Sequence, residues 1–437
     1  MTESTATSTP VDGPTGATGS RTYPERPERH SVTDDTVRRV VARRDGSSTI
    51  SMVAPIPADW EDRHDLAGLA DAALVRRRTR PDYEAHAEPL LFADLFSGCG
   101  ALSLGVMEAA RALGRTPQST LSVDLDSAAI AVYRASLAIA DARVDDLSAL
   151  VNGKLEARTT ESERSLLQQL DRPEVVVTGP PCQGHSALNN HSRHDDDRNN
   201  LYLRAARFAA LAEPSLVLIE NVASITRDRR RSAELAREHL DRLGYETNEG
   251  LVDLHQLGVP QLRRRHLLVA ARGLPTLTVE AVVDAYAVDD PASRTVGWTI
   301  ADLDDAGDSD FDRPSRPSAE NQERIDWLHR KRKYDLPNEM RPRCHHDDNH
   351  TYKSMYGRLW WDRPAQTITS GYGSMGQGRY VHPRRRRTLT PHEAARLQLI
   401  PDFFDFSKVQ SRGAWAQMIG NAAPMKLSYA FVLEAFR

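Results

Sequence analysis

Cysteine is almost absent: Cys99, Cys182 and Cys344 are the only three in 437 residues. Three thiols cannot staple a chain of this length, so a disulfide-framed secreted fold is excluded and a reducing, intracellular setting is expected. Long apolar runs are missing as well. No stretch approaches the roughly 20 residues of a membrane span, and the N-terminus lacks the apolar core of a signal peptide. The expected compartment is the cytoplasm. No charge sign dominates, since 57 Lys and Arg against 61 Asp and Glu leave a net charge of −4. Bulk charge therefore selects no partner. The basic residues nonetheless clump, at Arg227 with Arg229–Arg231, at Arg263–Arg265 and at Arg384–Arg387, so a polyanion could meet a local basic face. No internal repeat is present.

What is there has the order of a layered enzyme. The length suits two or three domains. Residues 1 to about 30 are rich in Thr, Ser, Pro and Gly, too poor in large apolar side chains to offset the entropy of ordering, and are expected to be disordered. Residues 31–88 carry mixed charge with a short helical pattern at Asp65–Arg78, and read as the rest of an N-terminal extension outside the core fold. From residue 89 to 272, short apolar runs alternate with amphipathic stretches. Strands are expected at Leu90–Phe96, Leu121–Asp124, Val175–Val177, Leu216–Ile219 and Leu267–Ala271, with helices between them. This alternation predicts an α/β fold with a doubly wound, mostly parallel sheet. Residues 273–385 lose all period and read as a smaller irregular domain. Residues 386–437 return to a helical signal at Thr390–Leu397, with Thr390 as cap and Pro391 in the first turn.

Two places carry chemistry. Phe96-Ser97-Gly98-Cys99-Gly100 follows the first strand of the alternation and opens a helix. Glycines there allow a sharp turn and close approach to a ligand, although Ser103 stands where a dinucleotide fingerprint has its third glycine. The next strand ends in Asp124, placed to accept hydrogen bonds from ribose hydroxyls. Together these imply an adenosine-type cofactor, with Cys99 as packing. Further on, the run Val175-Val176-Val177 leads to Pro180-Pro181-Cys182, and Leu216-Val217-Leu218-Ile219 leads to Glu220. Parallel strands would deliver a thiol and a carboxyl group to one edge, where open α/β sheets gather their ligands.

Six blocks resemble, in order, those of the DNA (cytosine-5)-methyltransferases. They are Asp94–Gly100, Gly179–Gly184, Glu220–Val222, Gln261–Arg265, Arg387–Gln398 and Gly420–Pro424. The resemblance covers roughly residues 89–437, and six blocks in order are very specific. It implies a Rossmann-like methyltransferase domain, S-adenosylmethionine as cofactor (S-adenosylhomocysteine as product) and 5-methylcytosine made in double-stranded DNA after base flipping. Cys182 takes the role of the nucleophile that adds to C6. Glu220 takes that of the acid at N3, and Arg263 and Arg265 that of the arginines holding the flipped nucleotide. Arg264 is expected at the surface. Phe96, Ser97, Gly98, Gly100, Asp124, Pro181 and Asn421 would bind the cofactor. Gln183, Ser186, Arg198 and Gln261 would face DNA, with Ser186–Arg198 as a loop closing over the base and His185 lining the site. One departure is Ala422-Ala423 before Pro424, where a valine usually precedes the proline.

Residues 273–385 stand where the family has its target-recognition domain. Arg358 and Arg379 are the expected DNA contacts there, joined by Arg363, Gln366 and the pair Trp360-Trp361. Cys344, His345, His346 and His350 invite a zinc reading, but a single cysteine is a poor structural-zinc set, and no metal is expected. The context implied is restriction–modification or related host defence, by a monomer acting on DNA at the nucleoid, with a cognate nuclease as partner. Methylation of tRNA by the same chemistry and a non-catalytic DNA-binding regulator are the rival readings.

Overall fold

The computed structural model describes residues 26–58, 60, 64–84, 86–181, 200–303, 309–346 and 354–437. Its strands are β1 (Glu28–Thr33), β2 (Thr36–Ala42), β3 (Ser48–Pro55), β4 (Pro89–Leu95), β5 (Thr116–Asp124) and β6 (Arg143–Val144). They continue as β7 (Val175–Thr178), β8 (Leu216–Val222), β9 (Glu246–Asp253), β10 (Gln261–Leu262), β11 (Arg264–Ala271) and β12 (Ala365–Gln366). Seven of them form one sheet in the order β6-β5-β4-β7-β8-β11-β9. The pairs from β6 to β8 are parallel, whereas β11 runs antiparallel to both β8 and β9. The chain leaves β4 toward β5 and β6, then returns to the other side of β4 for β7 and β8. The strand order therefore switches between β4 and β7, which opens a crevice at their carboxyl ends.

The central strands are apolar because both faces are covered. Val175 and Val177 of β7 join one apolar cluster and Val176 the other; Leu216 and Leu218 of β8 part from Val217 and Ile219 in the same way. Each such side chain stabilises the fold by about 1.5–3 kcal/mol, so sheet register is fixed from both sides. The register pairs Thr178 with Ile219, and the residues that follow, Gly179 and Glu220, emerge at one edge. A third cluster is separate, built on Ile325, Leu328, Leu336, Tyr356, Met375 and Val381.

Residues 31–88 do not stay outside the core, contrary to the sequence expectation. Strands β1 to β3 form an antiparallel sheet, with Asp34 and Asp35 at positive φ in the tight turn between β1 and β2. Val37, Val41, Val53 and Leu69 are buried in the same cluster as Leu104 and Leu433. The alternation in β2 is disguised because its inward positions are Val37, Arg39 and Val41. Arg39 is buried, donating to Glu108 (3.2 Å) and to the Tyr429 hydroxyl (2.9 Å), and Glu108 also receives Arg111 and Tyr83. A buried charge in an inward slot looked like surface. The sequence reading also passed over β9, whose residues are polar and mostly half-exposed. A side chain at Gly250 would meet Val279 at 3.1 Å, so a covering helix packs directly on that strand.

Asp94 near the end of β4 is fully buried, takes a hydrogen bond from Ser103 at 2.5 Å and leaves its Oδ1 without a partner among the described residues. Burial pushes its carboxyl up to about 7. An acid raised in the folded state keeps its proton while the unfolded chain has lost its own. Its stabilising contribution is therefore complete below about pH 4 and is lost as pH rises to about 7. The cost above that window is on the order of 4 kcal/mol. Asp94→Asn should remove it: urea midpoints at pH 5 and pH 8 should draw together in the variant, with the gain at pH 8. An equal effect at both pH values would show that Asp94 does not titrate in this window.

Candidate functional site

A cleft of about 610 Å³ lies at the carboxyl ends of β4, β5, β7 and β8, a size that suits a nucleoside-sized ligand. Its walls hold Phe96, Ser97, Gly98, Asp124, Pro181, Glu220, Arg263, Arg265 and Asn421. Nine of the residues singled out in the sequence thus share one chamber.

The first wall is the turn after β4. Phe96, Gly98 and Gly100 have φ of 58°, 52° and 97°, a left-handed path that glycine adopts without cost and that phenylalanine tolerates only under constraint. Asp124 supplies that constraint, accepting from the Gly98 amide at 2.8 Å and the Asp126 amide at 2.9 Å. Burial and the neighbouring Asp126 both push its carboxyl up. Ser97 is buried and its Oγ has no partner among the described residues, a polar group left for a ligand. Gly100 is corrected. It does not line the cleft but caps the helix Ala101–Ala112, where a Cβ would strike Leu137 and Tyr133 at 2.6 and 2.8 Å. Cys99 is buried and its thiol is pushed up to about 12 by burial, which makes it inert.

On the second wall, the Arg265 guanidinium Nε lies 2.8 Å from Glu220 Oε1, with both side chains largely buried. The other oxygen, Oε2, stands 3.4 Å from where a side chain on Gly179 would begin, so glycine there leaves room for the carboxylate. Asn221, next along β8, donates to the Pro180 carbonyl at 3.4 Å and ties the Pro-Pro turn to the strand that carries Glu220. Arg263 is buried and donates to the Ile368 carbonyl at 2.9 Å, while its Nε has no partner among the described residues. Burial and the like charge of Arg265 both hold its pKa well below the usual arginine range. Arg264 points to solvent, as expected.

The third wall was not legible in the sequence. Thr369, Ser370, Gln417 and Met418 close the cleft from the far part of the chain. A Cβ at Gly420 would fall 2.1 Å from the Ser370 amide nitrogen, so glycine is what lets the helix Arg412–Asn421 press against that loop. Gly420 stands in the last of the six blocks, and a glycine inside a helix was the sequence signal for a close approach.

Two expected DNA contacts are corrected. Gln261 is wholly buried, its amide donating to the Leu397 carbonyl and Gln398 (2.8 Å each) and accepting from the Ile368 amide. It joins three chain segments and faces no solvent. Arg379 is buried too, donating to the Tyr334 and Arg358 carbonyls and to Asp335, with its guanidinium 4.1 Å from the Trp360 ring centre. Arg358 is half-buried, bonded to the Pro383 carbonyl and stacked on Tyr334. Arg363 is exposed beside Trp360. His345 and His346 bond to Met355 and to the Arg341 carbonyl. Cys182, Gln183, His185, Ser186, the loop to Arg198 and His350 lie outside the described residues, as does the Cys344 side chain.

A family model of C-5 cytosine-specific DNA methylases matches residues 90–436. The chain is 42% identical over 404 residues to the Type II methyltransferase M1.BsuMI of Bacillus subtilis (strain 168), spanning 92% of this chain and 93% of that protein. It is 29% identical over 360 residues to the Type II methyltransferase M1.HphI of Haemophilus parahaemolyticus, spanning 80% and 87%. Among solved structures it is similar to the S. pombe Dnmt2 methyltransferase, with a TM-score of 0.54 at 19% identity over 79% of this chain and 98% of that one. At that identity the likeness speaks for the fold alone.

Proposed function

The chain belongs to the C-5 cytosine-specific DNA methylase family, and from there we propose that it methylates C5 of a cytosine flipped out of duplex DNA, with S-adenosylmethionine as donor and Cys182 as nucleophile. The observation that carries this reading is the Glu220–Arg265 pair, set in the same chamber as the Gly98–Asp124 turn. An acid and a cofactor cradle thus open onto one space.

The cradle residues fit a nucleoside-bearing donor. Asp124 has acceptor capacity beyond its two backbone bonds for ribose hydroxyls, Ser97 Oγ is unspent, and Asn421 flanks the same cleft. When bound, S-adenosylmethionine supplies an electrophilic methyl group. Cytosine C5 is too weak a nucleophile to take it unaided. Cys182, covalently next to the cleft residue Pro181, adds its thiolate to C6 and pushes electron density onto C5. Glu220 holds a proton at N3 so that the ring accepts the added electrons, and Arg265 fixes the Glu220 carboxyl. After transfer, the C5 proton leaves and the Cys182–C6 bond breaks, which restores the ring. Gln183, Ser186 and Arg198 serve the flipped strand.

The setting is restriction–modification, in the cytoplasm at the nucleoid, by a monomer on DNA with a nuclease of matching specificity. Among the described residues no helix is long and apolar enough to cross a membrane. Bisulfite sequencing of DNA from cells expressing the chain should find 5-methylcytosine in one short sequence context. Unmodified DNA, or transfer to tRNA in place of duplex DNA, would overturn the reading.

A further inference from the structure

The helix Ala319–Arg330 ends in a basic run, and residues Arg330 to Lys333 are all exposed. The turn from Arg384 to Arg386 is exposed as well, and it docks on that helix. Gln322 donates to the Arg386 carbonyl at 3.3 Å, Arg358 joins the Pro383 and Leu328 carbonyls, and Arg386 is close enough to His329 to help lower its pKa, after burial and Arg358. Two basic segments more than fifty residues apart in sequence are therefore one surface. Among the described residues, Arg330, Lys331, Arg332, Lys333 and Arg386 make no ion pair. Of the nearby acids, Asp335 is taken by Arg379 and Asp326 by Gln322. On a chain of net charge −4, such a concentration of unpaired cations has no bulk electrostatic reason.

The backbone adds a second sign. Arg332 has φ of 52° and sits at the left-handed position just past the helix, with its amide bonded to the His329 carbonyl and that of Lys333 to the Leu328 carbonyl. Glycine is the stable choice there. An arginine at that site keeps a charge where the fold favours none.

We propose that this patch is a duplex-phosphate contact of the protein, separate from the catalytic cleft and reading no sequence. The inference rests on the DNA-methylating reading above. The distance suits it: the Tyr380 hydroxyl meets Thr369, which lines the cleft, and the backbone from Tyr380 to Arg384 spans at most about 14 Å. Because one turn of B-DNA is about 34–36 Å long, that reach and the length of the Tyr380 side chain together leave the Arg384 end of the patch within a single turn of the cleft.

The test is the salt dependence of binding to a fluorescein-labelled duplex of scrambled sequence. Each lost phosphate contact lowers the slope of log K against log salt by about 0.9, so Lys331→Gln/Arg332→Gly/Lys333→Gln should lower it by about 2–3. Its melting temperature should hold or rise, because Arg332→Gly removes a left-handed side chain. If the triple variant melts early, Arg386→Gln gives the same reading from the other segment, with a slope loss near one contact. A slope equal to wild type overturns the patch, as does a slope lost on duplex RNA but kept on duplex DNA. Methylation is read alongside: a wild-type protein that modifies no cytosine sinks the catalytic reading, whereas an unchanged slope sinks only this one.

Discussion

Cys182→Ala is expected to lose methyl transfer by about 10⁴-fold or more, because the proposed route activates C5 only through a thiolate added at C6. Cys99 cannot stand in. It lies buried in the turn after β4, and its thiol, pushed up to about 12, offers almost no thiolate at neutral pH. Donor binding should survive, since Ser97, Gly98 and Asp124 hold their own wall of the cleft. Titration calorimetry with the cofactor would read that directly. The covalent step has its own signature. With 5-fluorocytosine at the target, the Cys182–C6 bond forms and the methyl group is transferred, but fluorine cannot leave as a proton does, so the adduct persists. Wild type should therefore run as a protein–DNA conjugate under denaturing conditions, and the alanine variant should not. A conjugate formed by Cys182→Ala, or turnover within tenfold of wild type, would remove Cys182 as the nucleophile.

The parts of this site that were legible in the sequence are those in which a single strand dictates the outcome. Val175 to Val177 and Leu216 to Ile219 are apolar on both faces, so the sheet fixes where Gly179 and Glu220 emerge. The Phe96–Gly100 turn was legible because its φ values require glycine at two of its positions. What stayed hidden depends on chain segments meeting from far apart. Gln261 looked like a polar group free for DNA, but Leu397, Gln398 and Ile368, more than a hundred residues away, absorb its amide. Arg379 was hidden for the same reason by Tyr334, Asp335 and Trp360. Residue type signals that a side chain can bond; only tertiary packing decides with what. Arg39 shows the converse, a charge that reads as surface and is buried because Glu108 and Tyr429 wait for it.

Glu220→Gln should lower single-turnover methyl transfer by about 10²–10⁴-fold, the range of a positioned proton donor. Glutamine keeps the shape and can still accept from the Arg265 Nε–H, now 2.8 Å from Glu220 Oε1, so the fold and the affinity for DNA should hold. What it loses is a proton to give at N3. Arg265 contacts that same carboxyl, and its part is therefore one of positioning. Arg265→Gln frees the carboxyl to turn in the cleft and should cost less than Glu220→Gln. If Arg265 acts through Glu220, the double variant should be scarcely slower than Glu220→Gln alone, because contacting residues that work as a unit are not additive. Full additivity would show that Arg265 serves the nucleotide on its own account. A Glu220→Gln loss under tenfold would reject the carboxyl as the proton donor.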